Sequence, residues 1–201
     1  MRRPSSKSFI LLAVTTVIYS SLYLSVNWYS FYYQSQNFLY WPWELEIPLV
    51  DWFILIYFSA YLSFLPVFFG LNYQGHLKIA KALIVSGFIG CMIFLVYPTS
   101  CAYQRDLNEV ENFKLFYSFL WTQDNPTTLM PSFHVAMSAI FLLPMAKHSR
   151  SYGMKIFYGC WLALICVSIV LVHQHHIIDI FTGLILSYFS LKIVERIKNH
   201  G

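Results

Sequence analysis

Residues 154–194 read MKIFYGCWLALICVSIVLVHQHHIIDIFTGLILSYFSLKIV, two apolar runs separated by the polar knot His173-Gln174-His175-His176. A helix rising about 1.5 Å per residue crosses a hydrocarbon core of about 30 Å with roughly 20 apolar residues. The runs 154–172 and 175–194 meet that length, so the stretch predicts a transmembrane hairpin with histidines at its tip. Working outward, segments 9–26, 48–71 and 79–97 have the same character, and 132–146 is a shorter one ending near Pro144. The chain is 58% hydrophobic and only 11% charged, whereas a soluble domain carries about a quarter charged residues. The expectation is an all-α polytopic membrane protein with six transmembrane helices. No repeat or low-complexity linker divides 1–201, which reads as a single integral membrane domain.

Charge orients the spans. Of the 13 lysines and arginines, Arg105 and Lys114 alone fall on one side. Arg2, Arg3, Lys7, Lys78, Lys81, Lys147, Arg150, Lys155, Lys192, Arg196 and Lys198 collect on the other. The positive-inside rule then places both termini in the cytoplasm. Acidic residues (Glu44, Glu46, Asp106, Glu109, Glu111, Asp124) mostly take the outer side. The net charge of +4 is therefore a topology signal, and the expected partner is the lipid bilayer rather than a nucleic acid.

Aromatic clusters at 28–33 and 40–43 suit the headgroup region, so 28–47 is expected along the interface. Val110, Phe113, Phe116, Tyr117 and Leu120 recur at helical spacing and predict a short helix, lying on the membrane or packed in a loop. Cys91, Cys101, Cys160 and Cys166 lack metal-ligand spacing and read as small buried hydrophobes. The first segment starts like a signal peptide, but bulky Asn27-Trp28-Tyr29 offers no small-residue cleavage site.

Two short segments carry chemistry, and both map to the outer face. Met130-Pro131-Ser132-Phe133-His134 opens the fourth span. Pro and Ser at a helix start leave free backbone N–H groups and a positive dipole end, which together form an anion site. His134 in that first turn is placed to donate a proton to the anion, and Ser138 continues the same face. At the head of the sixth span, His175 and Asp179 stand four residues apart, so their side chains meet on one helix face. Gly183 continues that stripe with a close-packing residue. A carboxylate beside an imidazole fixes its tautomer and stabilises its cation, as a nucleophilic histidine requires. An aspartate in a span's first turn is also costly without a partner. The rival reading is a metal site, since His134, His173, His175, His176 and Asp179 include ligands for zinc or non-haem iron. The His-x-His-His run cannot put three rings on one helical face, and neither a metal nor another cofactor is expected.

At these residues the chain resembles the type 2 phosphatidic acid phosphatase superfamily, in the branch that includes inositol phosphorylceramide synthases and related bacterial enzymes. Pro131-Ser132-Phe133-His134 is similar to that family's second motif, Pro-Ser-Gly-His, in its variant with a bulky third residue. His175-His176-Ile177-Ile178-Asp179, followed by an apolar helix with Gly183, resembles the end of the third motif. The first motif's lysine and arginine are absent in standard form from 97–105, where Arg105 is the only cation. Ser168-Ile169 stands where the third motif often has Ser-Arg.

The resemblance implies two-step phosphoryl transfer: His175 attacks phosphorus, Asp179 orients it, and His134 protonates the departing lipid oxygen before activating the acceptor. It implies phosphate-binding roles for Arg105, Ser132, His173 and Gln174. The expected substrate is a membrane lipid phosphate or diphosphate, hydrolysed at the outer leaflet of a bacterial inner membrane. Transfer to an alcohol by the same steps stays open, as does a non-catalytic lipid- or metal-binding relative. The oligomeric state is not written in the sequence.

Overall fold

A computed structural model describes residues 5–199; Arg2 and Arg3 of the basic count lie outside the described residues, as does the side chain of Lys198. The chain opens with α1 (Ser6–Tyr33), whose packing inverts that of a soluble helix. Ser8, Thr15, Asn27 and Ser30 face inward with Tyr19, while Phe9, Ile10, Val17 and Trp28 are exposed. Outward apolar surface is unpenalised where the solvent is hydrocarbon, and buried polar groups must find partners inside. Asn27 does so: its Nδ2 donates to Thr128 Oγ1 at 2.9 Å and to the Thr127 carbonyl at 3.1 Å.

With no Gly or Pro across 26–33, the helix runs past its expected end at Val26 to Tyr33. The aromatic cluster at 28–33 is thus helical, and the non-helical stretch begins only at Gln34. It carries β1 (Asn37–Phe38), which pairs in parallel with β2 (Thr99–Ser100), and a 3-10 turn at Pro42–Glu46.

The second expected span is two short helices, α2 (Phe53–Ser59) and α3 (Phe64–Gly70), joined by a 3-10 segment at Ala60–Ser63. Pro66 lacks an N–H and its ring crowds the carbonyl four residues earlier, so the preceding turn tightens. Beyond it come α4 (Tyr73–Val96), α5 (Lys114–Gln123), α6 (Phe133–His148), α7 (Tyr152–Leu171) and α8 (Ile177–Asn199). Asn72, Ser132 and Ser151 cap α4, α6 and α7, each side chain accepting a first-turn N–H. The predicted short helix is α5, which buries Tyr117 and Leu120. Val110 and Phe113 precede it, Phe113 in a left-handed conformation at φ 57°.

Five helices among the described residues are long and apolar enough to cross a membrane: Ser6–Tyr33, Phe53–Gly70, Tyr73–Val96, Tyr152–Leu171 and Ile177–Ile197. They mark an integral membrane protein. The remaining expected span corresponds to α6, which has 16 residues and so reaches only about 24 Å. Most of it is buried, packed against α3, α4, α7 and α8. One end of the bundle ties the start of α4 to the end of α8 through Lys78 and Glu195, 2.6 Å apart. The other end gathers α5, the 3-10 turn at Pro42–Glu46 and the loop before α8, and the candidate residues lie there.

Candidate active site

The loop from α7 to α8 folds back on the helix it leaves. The Ile169 carbonyl accepts the N–H groups of both Gln174 and His175 at 3.0 Å, and His173 takes the left-handed conformation (φ 55°) that this return demands. At the start of α8 a free N–H needs an acceptor. Glu44 supplies it from the 3-10 turn: its Oε2 accepts Ile177 N–H at 2.9 Å and His176 Nδ1 at 3.2 Å, and its Oε1 accepts Trp41 N–H at 3.0 Å. Because a carboxylate accepts, His176 carries its proton on Nδ1, leaving Nε2 to accept Ala102 N–H at 3.1 Å. Its ring stacks on Tyr40 and Tyr103. Burial holds the His176 pKa below the ordinary histidine value, against the opposing pull of Asp179 and Glu44. His176 is thereby fixed as a brace for the loop.

His175 is held from both sides. Its Nδ1 lies 3.2 Å from Asp179 Oδ2, which also accepts the His176 backbone N–H at 2.9 Å. The proton therefore sits on Nδ1, and Nε2 presents a lone pair. Ser132 Oγ stands 3.3 Å from that Nε2, donating to it while accepting Val135 N–H as the cap of α6. The backbone closes the same contact, with Ser132 N–H donating to the Asp179 carbonyl at 3.2 Å. Gly183 makes this approach possible: a Cβ there would stand 2.7 Å from the Ser132 carbonyl oxygen.

His134 lies in the first turn of α6. Its Nε2 is 2.8 Å from the Tyr57 carbonyl, which can only accept, so Nε2 bears hydrogen and Nδ1 is the free atom of the neutral ring. The 3-10 break exposes that carbonyl, whose own helical partner has tightened to Ala60 N–H. The imidazole lies flat on Tyr57, centroids 3.9 Å apart at 9°, with Tyr61 edge-on. His134 and His175 line one cavity of about 440 Å³, together with Tyr23, Tyr57, Tyr61 and Asp124. An imidazole oriented by a carboxylate and a second imidazole in the first turn of a helix, lining one cavity, suit attack on a phosphorus centre with proton transfer.

A family model described as the PAP2 superfamily matches residues 31–193. The chain belongs to the PAP2 superfamily. Members are generally phosphatases or phosphotransferases, so membership supports phosphatase-type activity. No curated protein and no solved structure matches the chain significantly.

In this PAP2 protein the other expected phosphate ligands, Arg105, His173 and Gln174, are bound to protein groups and do not line the cavity. Arg105 donates through Nη1 to the Asp124 carbonyl at 2.6 Å and through Nη2 to Gln174 Oε1 at 3.2 Å, with its guanidinium 6.0 Å from the Trp121 ring. Burial lowers its pKa, while Asp124 pulls it up. Gln174 and Arg105 are thus brought together. His173 is not brought in: its Nε2 is 2.9 Å from the Ile47 carbonyl and its ring stacks on Tyr103 at 4.0 Å. The left-handed turn at 173 swings it away from His175, and burial depresses its pKa.

The three histidines of 173–176 take three different partners, and among the described residues no group of His, Cys, Asp or Glu is arranged to hold a metal ion. Sequence reasoning missed two carboxylates, Glu44 under α8 and Asp124 in the cavity, having read both as ordinary outer-side acids. Only the costly isolation of an acid among Trp41, Pro42 and Trp43 hinted at Glu44.

Proposed function

We propose that this PAP2 protein hydrolyses the phosphate ester of a membrane lipid through a phosphohistidine on His175, without a metal. The observation that carries the reading is the unbroken chain Ser132 Oγ, His175 Nε2, His175 Nδ1, Asp179 Oδ2, at 3.3 Å and 3.2 Å. Asp179 holds the reactive tautomer and stabilises the imidazolium formed as Nε2 bonds to phosphorus. The N–H groups at the start of α6 and the Ser132 hydroxyl receive the phosphoryl oxygens. His134 enters the step as the imidazolium: it gives its Nδ1 proton to the departing lipid oxygen, its Nε2–H kept on the Tyr57 carbonyl, and the neutral ring then takes a proton on Nδ1 from the incoming water, which restores the cation. Acid–base help of this kind is worth about 10²–10⁴-fold, and preorganised donors at the phosphoryl group often contribute more.

On this reading α6 is a sixth, short and enclosed span, the basic residues keep both termini in the cytoplasm, the membrane is a bacterial inner membrane, and the cavity works at the outer leaflet. Transfer to an alcohol instead of water uses the same groups; the synthase-like form of the second motif leans slightly towards it, and the small size of the chain leans slightly towards hydrolysis. The test is release of water-soluble phosphorus from a panel of lipid phosphates by the purified protein and by His175→Ala, each with and without EDTA. Release that disappears in His175→Ala and persists in EDTA is expected. Equal release by both proteins would remove His175 as the nucleophile, and loss in EDTA would restore the metal reading.

A further inference from the structure

The cavity beside His175 contains a charge that these steps leave unused. Asp124 Oδ1 accepts the Tyr23 hydroxyl at 2.6 Å. Among the described residues its Oδ2 has no hydrogen-bond partner, and the carboxylate is in no ion pair. Arg105, the neighbouring cation, spends its Nη groups on the Asp124 backbone carbonyl and on Gln174 instead. No lysine or arginine is among the residues lining the cavity. A carboxylate in such surroundings is costly unless a cation joins it, and burial accordingly pushes the Asp124 pKa up while Tyr23 and Arg105 pull it back.

We infer that the cavity takes a phospholipid whose phosphate carries an ammonium-bearing alcohol, with Asp124 as the counter-ion of that ammonium. This rests on the phosphoryl-transfer reading of His175. A phosphomonoester would bring close to two negative charges beside Asp124, with no lysine or arginine lining the cavity to offset them. A zwitterionic phosphodiester brings one, which the start of α6 can hold, and supplies its own positive charge to Asp124. Tyr23 and Tyr61, bordering the same space, add ring surface of the kind that attracts ammonium groups. A volume of about 440 Å³ falls in the range of small-ligand pockets.

The chemistry balances. His175 Nε2 bonds to phosphorus as the bond from phosphorus to the lipid oxygen breaks, and that oxygen takes a proton through His134. Water then displaces His175, giving the free lipid alcohol and the phosphorylated amino alcohol.

Phosphatidylethanolamine, its N-acetyl derivative and phosphatidic acid, presented in the same detergent micelles, test the inference. The parent protein should turn over phosphatidylethanolamine in preference to both others, and Asp124→Asn, which keeps an acceptor for Tyr23, should shrink that preference by about tenfold or more. Equal turnover of the amine and its N-acetyl derivative, or a preference unmoved by Asp124→Asn, would overturn it. Competitive lipid binding to His175→Ala separates the two readings. Binding that favours the amine and loses this preference with Asp124→Asn upholds the inference even if His175 is not the nucleophile; binding without that preference refutes it.

Discussion

Replacing Gly183 with alanine puts a methyl group 2.7 Å from the Ser132 carbonyl oxygen and 3.1 Å from Val135 Cβ. Neither neighbour is the loose end of a flexible side chain. An ordinary carbon–oxygen contact begins near 3.3 Å, so the first turns of α8 must retreat from α6 by about half an ångström. His175 and Asp179 ride on those turns, and the His175–Ser132 separation is already 3.3 Å. The retreat therefore carries that pair to or beyond the hydrogen-bond limit of about 3.5 Å. A misplacement of about 1 Å costs about 10²-fold in rate, so half of it predicts roughly a tenfold fall in kcat.

Stability should respond differently. Alanine gains about 1 kcal/mol over glycine inside a helix, and overpacking costs about 1–3 kcal/mol, so the net change is small. The expected pattern is a folded protein with depressed kcat, read by lipid turnover at saturation beside thermal unfolding. Gly159→Ala, where a Cβ would meet nothing within 4 Å, is the control: it should match the parent in kcat and gain up to about 1 kcal/mol in stability. A folded Gly183→Ala protein as active as the parent would refute the claim that this approach sets the His175 geometry.

Two further outcomes test the surrounding framework. Glu44→Gln must turn an amide NH₂ toward one of three donors (Trp41 N–H, Ile177 N–H or His176 Nδ1), leaving a buried donor unmatched at a cost of about 1–3 kcal/mol; an unchanged melting temperature would show that the cap contributes nothing. Burial depresses the pKa of His173 and His176 in the folded state whereas the unfolded chain protonates them near pH 6.5, so stability should be full above that pH and fall as pH drops below it. Each contributes at most about 1.4 kcal/mol per pH unit. Asp124, raised in the folded state, acts in the opposite sense at lower pH. Melting temperatures at about pH 7.5 and about pH 5 measure the slope, which His176→Gln should flatten; the same slope in both proteins would show that His176 does not carry it.

The parts of the site that were legible are those that a helix makes local. His175 and Asp179 meet because they are four apart on one helix, and Ser132 announces itself as a cap. The parts that were not legible depend on chain return. Glu44 reaches His176 across a sequence separation of 132, and no periodicity reports such a contact. His173 was a candidate phosphate ligand only through the resemblance, in place of the third motif's missing arginine; a positive φ at that residue sends its ring to Ile47 and Tyr103. The expected first span stops at Val26 whereas α1 continues to Tyr33, and Thr127 and Thr128 satisfy the Asn27 side chain from the far side of the chain.

Phe133 shows how a local departure from a motif is answered elsewhere. The bulky residue between Ser132 and His134 has to go somewhere, and it goes into α4. A Cβ at Gly90 would overlap the Phe133 ring, so that glycine is a notch for this side chain. The ring then stacks with Tyr19 at 5.1 Å and lies 4.9 Å from Phe94. Tyr19 is itself close to Gly87, one turn back on α4. The start of α6 is therefore braced twice: a knob at Phe133 enters α4 on one side, and the notch at Gly183 admits α6 against α8 on the other. Cores hold such contacts at near-crystalline density, so a shift of either helix reaches Ser132 and His134 together. A phenylalanine beside Ser132 and a glycine on α4 thus act as one unit, and the helix start that carries Ser132 and His134 owes its position to both.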